Sequence, residues 1–439
     1  MSRSAAHMAL VGGLATVGTA MAQDATFRGL GYSGIGGSLV GSRADAVSPD
    51  GFAFVGGDDT DFGTLNAFWD ERSFSPDLLR DADGSYAPGR GVAVSEQGLV
   101  TVGSWNTLRD GALERRSMVW QAGGRGLELE SLPNAVPLSG SFTFVGDVSG
   151  DGTLAVGVAF DDRRTRQPVT WDTSTGAIET LALLPGRSGG QANRISTDGR
   201  TIVGSQFGGA DGVDPIVFWT DGVPQSADAT VPDGFDRFEI LGISPDASIV
   251  TGQLIPVDFD PFSNPIRPAA WSSRDGIEIL DTLGGGIRLI DDAVLDASTN
   301  GRLKVGTVGA FAGGSPYSAA VWFEDGSIRG LQEWLTNEFG LFEPSEWRGL
   351  LEATSISDDG TVLVGYGINP FGVKEGFVVT LPSPNCLMDF DVDGSLTLFD
   401  FLAFQNLFDA RDPRADVDED GRFTLFDFLT FQTLFDAGC

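Results

Sequence analysis

Near the C terminus, twelve positions have the types and spacing of two cation sites. Residues 389–400 (DFDVDGSLTLFD) and 416–427 (DVDEDGRFTLFD) are the same phrase written twice, 27 positions apart. The first places oxygen donors at loop positions 1, 3, 5, 7, 9 and 12: Asp389, Asp391, Asp393, the Ser395 carbonyl, Thr397 and Asp400. The second repeats them as Asp416, Asp418, Asp420, the Arg422 carbonyl, Thr424 and Asp427. Alternation lets the oxygens converge, and glycine at position 6 permits the sharp bend, which is what a calcium ion asks of a loop. Each loop clusters four carboxylates whose mutual repulsion opposes ordering without a cation. Two calcium ions are therefore expected as the cofactors of this segment.

Each loop runs straight into an apolar helical stretch, LFDFLAFQNLF or LFDFLTFQTLF, and no clear helix precedes either. Cys386 and Cys439 bracket the duplication. A disulfide joining them is the simplest reading for an exported chain, a terminal thiol or processing site at Cys439 the other; the closed loop would be worth about 4 kcal/mol. Residues 386–439, with Asp rather than Glu at position 12, no leading helices and a Gly438-Cys439 end, resemble type I dockerins. The resemblance implies a small α-helical module of paired EF-hand-type loops that attaches its carrier to a cohesin-like or other surface docking protein. Loop positions 10 and 11, which such partners read in cellulosomal members, are Leu398-Phe399 and Leu425-Phe426 rather than small or hydroxylated residues.

The other end of the chain reads as an export signal. Arg3, an apolar stretch too short to span a bilayer and Ala20-Met21-Ala22 mark residues 1–22 as a signal peptide. The expected location is extracellular and cell-surface associated, with no later membrane span. The one histidine, His7, leaves with that peptide, so histidine-dependent triads and zinc sites are excluded from the mature chain. A net charge of −33 argues against nucleic acid or an anionic membrane surface as partner.

Between residues 26 and 382 one phrase recurs seven times, as in AVSPDGFAFVGG from Ala46 and SISDDGTVLVGY from Ser355. Its serines are Ser48, Ser95, Ser149, Ser196, Ser244, Ser298 and Ser357, 47 to 59 positions apart. Each is followed by an aromatic residue: Trp69, Trp120, Trp171, Trp219, Trp271, Trp322 and Phe377. Period-two alternation between turn-rich linkers predicts strands, and units of about fifty residues have the length of a four-stranded blade. The fold class expected is an all-β seven-bladed β-propeller over residues 26–382, a short linker at 383–385, then the helical module. The strand at Thr26 completes the last blade, clasping the ends. The phrase resembles the repeats of the extracellular HAF-repeat family, which implies the propeller and no particular activity.

The turn and the recurring aromatics read as structural: Asp-Gly supplies the tight turn, Ser caps it, and the rings pack between blades. Candidates for ligand contact are fewer. Asp147, Arg194 and Asp296 stand two residues before a repeat serine, on the strand expected to line a central channel. Trp105, out of register in SWNTLRDG and read as a loop residue, is the aromatic best suited to stack on a sugar. Trp334 and Trp347 fall in a longer segment, a short helix covering the last blade. The functional expectation is a binding propeller for an extracellular ligand, a glycan among the candidates. The alternatives are a glycoside hydrolase using a carboxylate pair and a structural component of the cell envelope.

Overall fold

The computed structural model describes residues 25–35, 40–61, 63–122, 124–210, 214–260, 264–283, 292–309, 317–382, 388, 390, 398–417 and 422–437. It divides into one unit of residues 25–382 and another holding residues 383–439.

The first unit is seven four-stranded antiparallel sheets. The innermost strands are Gly41–Val47, Gly91–Val94, Thr143–Val148, Gly189–Ile195, Phe235–Ile243, Ala293–Ala297 and Gly349–Ile356, one for each of blades 1 to 7. Each touches the next in a closed ring, so the unit is a seven-bladed propeller. Thr26–Gly29 pairs antiparallel with Lys374–Thr380 as the outer strand of blade 7, so the two ends of the unit meet in one sheet.

The repeated residues hold this ring together. Each repeat-serine hydroxyl accepts the amide N–H five residues on, as with Ser196 and Thr201 (3.0 Å), closing the turn. In five copies the hydroxyl also donates to the Asp two residues on, at 2.6 to 2.7 Å. The trailing aromatics are buried between blades. Six of them donate an indole N–H to the carbonyl at the exit of the preceding blade's outer strand, as Trp219 does to Ala182 (2.7 Å). Trp69 bonds Leu30 (2.9 Å), just past the N-terminal strand, so the ring-closing interface uses the same clip as the others. The helix Leu331–Phe339 and the turn Glu343–Glu346 bring Trp334 and Trp347 onto the core of blade 7, with the Trp347 ring edge-on to Phe27 at 5.3 Å.

In the second unit the helices Leu398–Asp409 and Leu425–Ala437 pack through their equivalent positions: Phe404 and Phe431 stack at 4.3 Å and 11°. A single 3₁₀ turn, Pro413–Ala415, precedes the second loop.

Candidate functional site

Every innermost strand carries a β-bulge at the residue three before its serine: Asp45, Val92, Gly146, Asn193, Leu241, Leu295 and Thr354. A bulge inserts one unpaired residue and re-aims those beside it. Two consequences follow. The inner-strand carbonyl two residues ahead of the bulge is pressed onto the middle strand, where only glycine fits: a Cβ on Gly204 would lie 1.9 Å from the Gln191 oxygen. The amide just before the serine faces the axis, because its serine neighbour takes the ladder bond, as in Ser196 N–H to Thr201 O (2.8 Å).

Asp147 and Asp296 bind those axial amides. Asp147 accepts from Val148 (2.8 Å) in its own blade and from Ile195 (3.0 Å) in the next. Asp296 accepts from Ala297 (2.9 Å), from Ile356 (3.1 Å) in blade 7 and from the Ser355 hydroxyl (2.8 Å). Ser355 passes the pattern on, accepting from Val47 of blade 1 at 3.3 Å. The residues singled out by charge are thus staples between blades. Arg194 lies among them, donating to the Gly146 and Asn193 carbonyls at 3.3 and 2.9 Å.

A second set of bonds rings the mouth of the axis beside the serine turns. Glu96 N–H donates to Gly150 O, Gly150 to Thr197, Thr197 to Pro245, Thr299 to Asp358 and Asp358 to Pro49, all at 2.9 to 3.0 Å. Proline has no N–H, so the chain of donors stops at Pro245 and Pro49. The carbonyls next in line, Thr299 and Glu96, accept instead from Arg302 and Leu99, and those two turns tighten into 3₁₀ form.

Asp147, Arg194 and Asp296 line one axial cavity with Asp45 and Asp358, of about 110 Å³. Burial raises the Asp147 carboxyl against the pull of Arg194. Burial pushes Asp296 up to about 6 despite its three donors. Asp358 is pushed to about 7 by burial, with Asp296, Asp359 and Glu96 adding repulsion. Ligand pockets usually run from about 300 to 1,000 Å³. The cavity is below that range, and the lone pairs of Asp147 and Asp296 already serve backbone donors.

Trp105 is not in a loop. It lies in the strand Val100–Arg109, opposite Arg116, because the hairpin continues well past the repeat register. Its half-buried ring packs with Ala87, Met118 and Trp120 between blades 1 and 2, apart from the axial cavity.

Two larger clefts lie away from the axial cavity. One, of about 890 Å³ between blades 1 and 2, is lined by Asp70, Asp77, Arg80, Tyr86, Trp120 and Arg125 among others. The Tyr86 ring is 39% exposed and has the Arg80 guanidinium 4.5 Å from its centre. The other, of about 400 Å³, lies where blades 1 to 3 meet and includes Arg90, Ser104, Asn106 and Arg115. Beside it an ion network spans blades 7, 1 and 2: Arg43 to Asp45 (2.6 Å), Arg90 to Asp45 (3.3 Å) and Arg43 to Glu352 (3.4 Å). Burial and the neighbouring Glu352 push the Tyr366 phenol up to about 12, and its hydroxyl donates to Glu352 at 3.1 Å.

Of the cation-loop positions, Asp400, Asp416, Arg422, Thr424 and Asp427 are among the described residues. Asp389, Asp391, Asp393, Ser395, Thr397, Asp418, Asp420, Cys386, Cys439, the signal segment and the 383–385 linker lie outside them. Asp400 and Asp427 are fully buried at the starts of the two helices. Asp427 turns back into its loop, accepting from Val417 (2.9 Å) and Thr424 (2.6 Å). The Thr424 hydroxyl accepts from Phe426 (3.1 Å) as a helix cap. Each Asp427 oxygen thus serves a backbone donor of its own loop.

No family model matches the chain, and no curated protein matches it. Similar solved structures include TolB from Acinetobacter baumannii, at 14% identity and a TM-score of 0.42, covering 68% of this chain and 64% of that one. The match thus spans just under two thirds of that TolB's length. Others are an oligogalacturonate lyase in complex with manganese (14%, 0.46, 82% and 97%) and Kuenenia stuttgartiensis hydrazine synthase (13%, 0.47, 80% and 98%). At such identities the likeness is one of fold, and the blade count rests on the strand pairing itself.

Proposed function

We propose that this protein is a secreted, surface-attached propeller that binds an extracellular saccharide, held in place by a calcium-loaded, dockerin-like tail whose partner is a cohesin-like or other surface protein. The observation that carries the binding reading is the 890 Å³ cleft between blades 1 and 2. It surrounds an exposed tyrosine ring, braced by Arg80, with the carboxylates, guanidiniums and amides of Asp70, Asp77, Arg125, Gln97 and Gln121. An apolar ring face bordered by directional polar groups suits a polyhydroxylated ring, which presents C–H and O–H groups together.

Hydrogen bonds from Ser73 hold the Asp70 carboxyl below its ordinary value, which keeps it a charged acceptor for a ligand hydroxyl. The tail reading is supported by the doubled loop spacing.

The test is a glycan array and calorimetry with the mature protein in calcium, alongside a screen for new reducing ends. Binding that Tyr86→Ala weakens at least about tenfold, with no product formed, supports the proposal. New reducing ends would establish a hydrolase instead, and silence in both assays would favour a structural envelope role.

A further inference from the structure

We infer that the second cleft, at the junction of blades 1 to 3, is a separate site for an anionic group on an extracellular glycan. The chain carries 61 acidic and 28 basic residues, so most stretches of its surface repel anions. This cleft is the opposite. Its charged lining groups among the described residues are Arg90 and Arg115, with no carboxylate between them.

Strand alternation produces the separation. Along Ala112–Gln121, Arg116 faces one way and is neutralised by Glu114 and Glu128, each at 2.8 Å. Arg115 faces the other way, exposed, and makes no ion pair among the described residues; its Nε donates to the Asn106 oxygen at 3.3 Å. Both terminal nitrogens of Arg115, and the Asn106 amide nitrogen, are without a hydrogen-bond partner among the described residues and stay available as donors at the cleft.

Arg90 is anchored from behind by the largely buried Asp45 through Nε, and its backbone N–H donates to the Ser104 hydroxyl at 3.0 Å. Its side chain remains 46% exposed. The cleft therefore presents two oriented guanidiniums and an amide, a set rich in donors and poor in acceptors. Carboxylate and sulfate share the chemistry it recognises: planar or tetrahedral oxygens that take forked N–H pairs.

The experiment uses the full mature protein in calcium and three oligosaccharides of one length and one backbone: unmodified, carboxymethylated and sulfated. At least one anionic form is expected to bind tenfold or more tighter than the unmodified one, and to weaken on raising salt from about 0.05 to 0.5 M. Arg115→Gln should reduce that binding about tenfold with an unchanged unfolding midpoint, since the side chain is exposed; Arg329→Gln, on another surface, should leave it unchanged. Whichever anion binds identifies the group. Equal binding of all three forms, no binding of either anionic form, or indifference to Arg115→Gln would overturn the inference. Tyr86→Ala should not affect this binding, which keeps the outcome separate from that of the cleft between blades 1 and 2.

Discussion

Replacing Asp296 by Asn tests whether the axial carboxylates act as staples. When folded, the carboxyl titrates at about 6, against an ordinary value of 3.8. The native state therefore holds this proton more tightly than the unfolded chain does. Stability falls as pH rises across the interval from about 4 to about 6, and the full cost, about 3 kcal/mol, is borne above it. Asn cannot ionise. Its oxygen can take the place of Oδ2 and keep both the Ile356 amide and the Ser355 hydroxyl, but its NH₂ then stands where Oδ1 accepted from Ala297, a loss of about 1–3 kcal/mol at every pH. Asp358, freed of a like charge, should also titrate lower. All nine tryptophans lie between residues 69 and 347, so their emission during urea unfolding follows the propeller alone. The stability of the native protein relative to Asp296→Asn should then decline by about 2 kcal/mol between pH 4 and pH 6.5 in saturating calcium. Parallel profiles, agreeing within about 0.5 kcal/mol, would refute the assignment.

Two further outcomes are expected. Gly204→Ala should cost about 3 kcal/mol or more, because the new methyl would meet the Gln191 carbonyl at 1.9 Å. Gly222→Ala, at a turn with φ of 76° and nothing within 4 Å, should cost only about 1 to 2 kcal/mol; equal midpoint shifts in urea would show that the bulge is not what demands glycine. Calcium removal with a chelator should release about two ions per chain and lower the helical circular dichroism of the tail, with Asp427→Asn releasing one more readily than the other. Retained helicity without bound calcium would count against the paired loops.

Much of the fold was legible because its determinants are local. The Ser-x-Asp-Gly turn, the period-two runs and the recurring aromatic each act within a few residues, and repetition at about fifty-residue spacing multiplies a weak signal seven times. The N-terminal strand could be assigned to the last blade because that blade lacked one of its own. Trp105 lies outside the repeat, and the signal that places it in a strand is the hairpin turn Asp110-Gly111, both at positive φ, which sets the length of the Val100–Arg109 strand.

By itself, the sequence determined seven blades, the aromatic ring packed between neighbouring blades and a doubled oxygen-donor loop. Tertiary structure alone decided what the charged residues meet. Asp147 and Asp296 reach amides 48 and 60 residues away, exposed by bulges that leave no mark in composition. Arg90, just before the innermost strand of blade 2, and Arg115, on the third strand of the same blade, line one cleft across Ser104 and Asn106 of the strand between them. Turns and alternation are written in adjacent residues, whereas a staple or a cleft exists only once distant strands have closed into a ring.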